Sequence, residues 1–365
     1  MIKKKIKLYY KILVQSFFKF LYGTVLLTKN IDNLIKKEKI ESKKFRSFKN
    51  KHYNLYKVRD ARIYTDNNQN VAIIKENFIL PFFSFQQVKG NLKKPAYNSV
   101  IKIGTPSFLK KIKGRVFNLC QGGSGNNYFH FIFDIIPKIH LFAKKKKLNV
   151  IDYFYLTNPK KWQIEILKIF GIKKDKILDS KIYNHIHADE IYAVDHPWYD
   201  DGYIQYNLHK LPKWIIKENR KIFLKNNSKA NKQRIFLDRS NSSFNHCQIE
   251  NIEQIINLIS KKNIKMYKPE FLSFKKQIKL FNSSSLIIGA HGAAFTNIIF
   301  CKPGTKILEI MPSDHPNQKC KRISKILNLK YYRIKTVPKN NDVNFPYKIN
   351  LNKKNLKQIE KIINL

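Results

Sequence analysis

The stretch from Ser283 to Pro312, SSSLIIGAHGAAFTNIIFCKPGTKILEIMP, narrows the folds open to this chain more than any other. Leu286 to Gly289 is a short apolar run with the length and β-branching of a buried strand. Ala290 to Ala294 is a turn of small residues with one imidazole, His291, in it. Ala293 to Phe300 can form two helical turns, Pro303-Gly304 stops them, and Thr305 to Ile310 reads as a second buried strand. A strand–turn–helix–strand crossover of this kind implies a parallel sheet.

The turn from Gly289 to Asn297 is where chemistry could sit. Backbone N–H groups opening a helix, together with its dipole, favour an anion such as a diphosphate. Gly292, Ala293 and Ala294 let a ligand approach the backbone, and His291, Thr296 and Asn297 can add polar contacts. Glu309 reads as the end of the second strand, and ligands bind at the C-terminal edge of a parallel sheet. A carboxylate there can accept two hydrogen bonds from a ribose diol. From spacing alone, an ordinary βαβ unit whose small residues serve close packing explains the pattern as well.

A second stretch carries a candidate base. Gly114 to Cys120 reads as a strand, Gln121 to Gly125 as a Gly-rich loop, and NNYFHFIFDIIPKIHLF as a mostly buried helix reaching about Ala143. Asn126 or Asn127 is the expected N-cap, and Pro137 should kink the helix or end its first half. His130 and Asp134 are four apart and share a helical face, the arrangement of an oriented base. A core histidine satisfied by its neighbour gives the same spacing. The loop lacks the spacing of a dinucleotide fingerprint, which argues against a Rossmann dehydrogenase.

Around these stretches the chain alternates. Residues 53 to 103 read as irregular β structure leading into a first domain. Strand 152–157, a helix from Lys161, a short strand near Ile177 and HIHADEIYAV come next. The loop Asp195 to Gly202 mixes aromatics with carboxylates, as a sugar-binding loop or a plain surface loop can. A helix is expected from Asn207 to Leu224, and KNNSKANK (225–232) is the clearest linker. Beyond it come strand 234–238, helix 249–261, strand 264–267, helix 274–282, the opening unit, helix 317–327 and strand 331–336, a doubly wound α/β domain. The expected division is a 1–50 basic segment, domains at 51–225 and 233–340, and a 341–365 helix returning to the first domain.

Composition bounds the partners. The 365 residues carry a net charge of +46 and are 43% hydrophobic, enough for two cores. Nucleic acid, acidic lipid or a polyanionic substrate could answer such a charge. The lysines are spread along the chain rather than gathered in one arm, which favours a compositional bias toward Lys, Ile and Asn. The four cysteines (Cys120, Cys247, Cys301, Cys320) form no C-x-x-C pair, so neither a zinc site nor a disulfide scaffold is indicated. No D-x-D triplet occurs, against a nucleotide held through an aspartate-bound metal. Met1 to Thr28 opens with lysines, and Lys11 and Lys19 interrupt its apolar run, which falls short of the ~20 residues of a span. It reads as a basic amphipathic helix on an anionic membrane surface, or as a helix packed on the protein itself.

Two strings resemble the signatures of glycosyltransferase family 61. IIGAHGAAFTNIIFCKPGTKILEI matches its G-x-H-G-A segment with a later P-G and Glu, and NYFHFIFDIIPK matches N-Y-x-H-[WF]-x-x-D-x-x-P-[RK]. They stand in the expected order, and the resemblance covers roughly residues 115 to 312. Arg239 matches the single arginine of a strand-end S-R pair, with Asp238 in place of the serine. Phe244 to Asn251 departs from the family's R-I-x-N-E stretch. The resemblance implies a GT-B-like architecture, two Rossmann-like α/β domains facing across a cleft, with the basic N-terminal extension outside them.

It also implies an inverting, metal-independent glycosyltransferase without a cofactor, using a UDP-sugar and a glycan or glycolipid acceptor in capsular polysaccharide or lipopolysaccharide synthesis. His130 and Asp134 are then catalytic. Asn127 and Tyr128 are acceptor-binding. Arg239, Gly289, His291, Gly292, Ala293, Thr296, Asn297 and Glu309 bind the donor. The expected location is cytoplasmic, with peripheral contact at the inner membrane face. The rival expectations are a basic nucleic-acid- or acidic-lipid-binding protein and an inactive transferase-like protein.

Overall fold

The computed structural model describes residues 2–27, 33–42, 44–47, 50–67, 69–81, 83–88, 90–93, 95–121, 127–198, 202–224, 232–240, 246–337 and 348–365. The Gly122–Gly125 loop, residues 199–201, most of the 225–232 linker and residues 244–245 lie outside them. The chain divides into two compact units, Met1–Ile215 and Ile216–Leu365. Both are mixed helix and strand.

The first unit is built on one 12-stranded sheet. Its parallel part runs Ile177–Asp179, Tyr153–Leu156, Lys110–Asn118, His185–Val194, which in chain order is third, second, first, fourth. The direction of sequence therefore reverses between Lys110–Asn118 and His185–Val194, and the crevice at such a switch point is where open α/β sheets bind ligands. The expected lead-in at 53–103 is instead the other half of this sheet. Tyr53–Tyr64 pairs antiparallel along the length of His185–Val194, and Asn70–Lys75, Phe85–Val88 and Asn91–Lys93 extend it. Val58, Ile63, Ile73, Val116, Ile186 and Ile191 form one core across both halves.

The N-terminal segment is not separate from this unit. Lys36–Ile40 pairs with Tyr53–Tyr64, and the end of helix Ile2–Tyr22 is anchored by Phe18 against Phe108 and by Tyr22 against His185. Nearer its start, Ile6, Tyr9, Tyr10 and Leu13 are exposed. No helix among the described residues is long and apolar enough to cross a membrane.

The second unit follows the expected alternation. Its parallel sheet runs Lys265–Tyr267, Gln233–Leu237, Ser284–Ala290, Lys306–Pro312, Lys330–Thr336, the order second, first, third, fourth, fifth. Its switch point lies between Gln233–Leu237 and Ser284–Ala290. Phe236, Ile288, Leu308 and Ile334 meet Ile255, Ile259, Ile359 and Ile363 in the core. The last two come from the terminal helix Lys353–Asn364, expected on the first domain. Ile359 and Ile363 place its apolar stripe in this core, and Arg234 donates to the Ile363 carbonyl at 2.8 Å.

Candidate active site

The first unit gathers its polar groups at its switch point. Asn127 caps the helix, its Oδ1 accepting from the Phe129 and His130 N–H groups. Helix Tyr128–His130 passes into a π turn, Phe131–Ile135, and then into helix Ile136–Phe142. The wide turn absorbs the amide that Pro137 lacks, so the proline opens the last segment instead of breaking the helix. His130 Nδ1 stands 2.7 Å from Asp134 Oδ2, and Asp134 has no exposure. An ionised carboxylate can only accept, so Nδ1 carries a proton toward it, and in the neutral ring Nε2 is then the nitrogen with the lone pair.

Three further groups hold Asp134. Gln121, just past Lys110–Asn118, donates from Nε2 to Oδ2 at 2.8 Å, and Trp198 donates from its indole to Oδ1 at 2.6 Å. His196, past His185–Val194, lies 3.9 Å from Oδ2 and 2.7 Å from Gln121 Nε2. Burial alone would raise the Asp134 pKa, but His130 and His196 beside it hold it below the usual carboxylate range. Burial likewise pushes His196 down, against the pull of Asp134. Tyr128 rests on Trp162 with ring centroids 5.4 Å apart. Sequence reasoning did not connect Gln121, His196 and Trp198 to the dyad. The signal available was their place at the ends of two strands flanking a reversal of order.

The second unit builds a similar pair at its own switch point. His291, just past Ser284–Ala290, places Nδ1 2.6 Å from Glu309 Oε1. Arg239, past Gln233–Leu237, donates from Nη1 to the His291 carbonyl at 2.6 Å. Lys319 opens helix Lys319–Leu327 and donates from Nζ to the Gly292 carbonyl at 2.9 Å, with 3% exposure. A Cβ at Gly292 would lie 0.9 Å from Arg239 Nη1, so the guanidinium needs a glycine beneath it. Burial lowers the pKa of both cations, as it does for a desolvated positive charge. Asp238 is turned to Ser240, accepting from its N–H at 2.8 Å and its hydroxyl at 3.0 Å.

Several expected donor residues point elsewhere. Strand Lys306–Pro312 continues past Ile310, so Glu309 lies inside it rather than at its end. It is 1% exposed and also accepts from the Tyr331 hydroxyl at 2.6 Å and the Cys320 thiol at 3.0 Å. Burial and these three contacts turn it to its own unit rather than to a ribose. The segment Ala293–Phe300 is a 3₁₀ helix that buries Thr296 and Asn297, and Asn297 donates to Gln277 at 2.7 Å. A Cβ at Gly289 would meet Leu237 at 3.0 Å, so that glycine serves the packing of adjacent strands, while Ala293 stays half-buried beside Gly292.

His246, Cys247 and His315 bring a ligand atom each within 4.8 Å of the others. The Asn317 N–H faces His315 Nδ1 at 3.2 Å, so His315 carries its proton on Nε2, the nitrogen 3.1 Å from His246 Nε2. An imidazole bound to a metal through Nε2 keeps its proton on the other nitrogen, so these contacts suit a hydrogen bond between the histidines and not an ion. Beside Arg239 a cavity of about 190 Å³ is lined by Phe236, Ile249, Ile252 and Ala290, with Gln248, Glu250 and Lys348 among its polar groups.

Comparison with known proteins gives a family. The model of the glycosyltransferase 61 family matches residues 128–308, and over that stretch the chain belongs to the family. The His130–Asp134 pair and His291 fall inside it, and Glu309 lies one residue past its end. A beta-1,2-xylosyltransferase of Oryza sativa subsp. japonica is 35% identical over 63 residues, which are 17% of this chain and 12% of that protein. The chain thus matches about an eighth of that relative's length. Among solved structures, a mutant flavo di-iron protein from Thermotoga maritima aligns over 90% of this chain and 97% of its own at 8% identity. Its TM-score of 0.24 is too low to bear on fold or function.

Proposed function

We propose that this protein is an inverting glycosyltransferase that moves a sugar from a nucleoside diphosphate, UDP in the first instance, to a hydroxyl of a glycan or glycolipid. The observation that carries the reading is the His130–Asp134 pair, an imidazole whose Nδ1 meets a buried carboxylate that also accepts from two other side chains. His130 Nε2 takes the acceptor hydroxyl's proton as that oxygen attacks the anomeric carbon and the bond to the diphosphate breaks. One displacement inverts the centre and needs one base.

The second unit is the donor side in this reading, the division of labour of a GT-B enzyme. Arg239 and Lys319 supply positive charge for the leaving diphosphate, which is why no metal is required. The cavity beside Arg239 takes the base and ribose. Glu309 orients His291 rather than holding ribose. The family match and the rice xylosyltransferase support sugar transfer. Synthesis of a capsular or lipopolysaccharide glycan at the cytoplasmic face of a membrane is the setting we propose. Lys3, Lys4, Lys5, Lys7 and Lys11, with exposed Ile6, Leu13, Phe17 and Phe20, suit peripheral contact with anionic lipid.

The test is thermal unfolding with millimolar UDP in EDTA. UDP should raise the melting temperature without added metal. No shift, or a shift only with manganese, would overturn the donor assignment.

A further inference from the structure

Lys138 is a charged group near the dyad that proton transfer leaves unused. It stands one helical turn beyond Asp134 and is 5% exposed. Burying an ammonium is expensive unless it is paired. Among the described residues Nζ makes one hydrogen bond, to the Cys120 carbonyl at 3.5 Å, the outer limit for such a bond. Below it the Phe85 ring centroid lies 6.0 Å away. Burial pushes the ammonium down to about 8, against the pull of Asp134, so it stays mostly charged at neutral pH.

Lys138 also lines a cavity at the first unit's switch point, with Asn118, Gln121, Phe85, Val194 and His196. Its volume is about 20 Å³, room for a water or for the head of one small polar group. Among the described residues no carboxylate lines it. Phe85 and His196 are only partly covered, so the cavity reaches the surface. A water would fill the space but bring no charge to the ammonium. A phosphate is bulkier and doubly charged, against one lysine. A carboxylate fits both the size and the charge.

We propose that this cavity is a carboxylate subsite and that the acceptor is an acidic sugar, its carboxylate seated on Lys138 beside the Asn118 amide. The proposal rests on reading the first unit as the acceptor side. Gln121 and His196, which wall the cavity, also contact Asp134, so a sugar anchored here is held next to the proton-accepting pair. Selectivity of this kind comes from leaving a buried charge unpaired when the wrong substrate binds.

The experiment is calorimetric titration of the full chain with sodium glucuronate, glucose, sodium acetate and sodium chloride in separate runs. Glucuronate should bind saturably and at least about tenfold more tightly than glucose or chloride, since one charge-assisted hydrogen bond is worth that much, and more tightly than acetate, which has the carboxylate but no sugar ring. Lys138→Met should erase the preference and Lys138→Arg should keep part of it. The preference should also fade in the wild type as pH rises past about 8, where the ammonium discharges. Asp134, Cys120 and His196 share its field; Cys120, pushed up to about 12, stays protonated there, and His196, pushed below its usual value, stays neutral.

Glucose or chloride binding as tightly as glucuronate, or a preference that survives Lys138→Met, overturns the subsite, and acetate binding as tightly overturns the acidic-sugar acceptor. If that variant does not fold, the wild-type pH titration decides. UDP-induced stabilisation, measured on the same samples, separates the two readings. Its presence without a glucuronate preference overturns the subsite alone; its absence overturns the donor assignment and leaves the glucuronate result standing.

Discussion

The two units hold the same pair of groups and surround it differently. In each, an imidazole Nδ1 meets a buried carboxylate, at 2.7 Å for His130–Asp134 and 2.6 Å for His291–Glu309. Around Asp134 the hydrogen-bond partners are an amide and an indole, neutral donors that steady the carboxylate. Around His291 stand two buried cations, Arg239 and Lys319, bonded to the adjacent His291 and Gly292 carbonyls. The first setting suits taking a proton from a neutral hydroxyl. The second suits an anion, because the positive charges are already desolvated and fixed. A histidine–carboxylate pair therefore does not announce its role; its neighbours do.

Substitutions that treat the two pairs unequally would break this contrast most sharply. His130→Ala should cut sugar transfer by about 10²- to 10⁴-fold, the usual loss of a general base, while UDP stabilisation stays as in the wild type. Loss of UDP stabilisation in that variant would mean the pairs do not divide the work. Gly292→Ala is the counterpart. Its Cβ would occupy the place of the Arg239 guanidinium, 0.9 Å from Nη1, so UDP affinity measured by calorimetry should fall about tenfold or more. An unchanged affinity would remove Arg239 from the diphosphate site.

Smaller effects sharpen the comparison. Trp198→Phe deletes one donor to buried Asp134 and should lower stability by about 1–3 kcal/mol in urea unfolding. An unchanged midpoint would show that the indole is not needed to satisfy the carboxylate. The pH response should come mainly from the second unit. Burial and the neighbouring imidazoles push His246 down to about 2 and His315 down to about 3, and burial lowers His291. The unfolded chain then binds more protons than the native one, so stability is full above an unfolded histidine pKa of about 6.5 and falls as pH drops below it. Each imidazole contributes up to about 1.4 kcal/mol per pH unit. Glu309, held low by His291 despite its burial, adds to the loss only below about pH 4.3. A urea midpoint flat between pH 7 and pH 5 would contradict the buried neutral imidazoles, and His315→Gln should flatten the wild-type slope.

The two units were also unequally legible in the sequence. In the second unit short strand runs alternate along the chain with helical patterns, so the alternation can be read locally. Tyr53–Tyr64 pairs with His185–Val194 across a long sequence separation, and no local pattern records such a pairing. The His130–Asp134 pair was visible because helical periodicity alone brings residues four apart together. Gln121 and Trp198 were not, since only the strand order delivers them to Asp134. Glu309 was misplaced for a definable reason: strand Lys306–Pro312 ends two residues later than expected, which moves a carboxylate from the ligand edge into the sheet. Thr296 and Asn297 turn inward because the helix winds as 3₁₀, a choice the sequence does not display.

The π turn at Phe131–Ile135 has a consequence for inheritance. Its closing bond, from the Ile136 N–H to the Phe131 carbonyl, spans one residue more than an α-helical bond does. Such a turn holds one residue more than an α-helical turn over the same span. Deleting Phe131, Ile132 or Phe133 would let the segment close as plain α-helix, at little harm to local stability. Everything upstream, His130 included, would then rotate by about 100° relative to the Ile136–Phe142 helix. The gene can therefore vary letters here more safely than it can lose one: a frame-preserving deletion of a single codon would leave a folded helix with its imidazole turned out of the switch-point crevice.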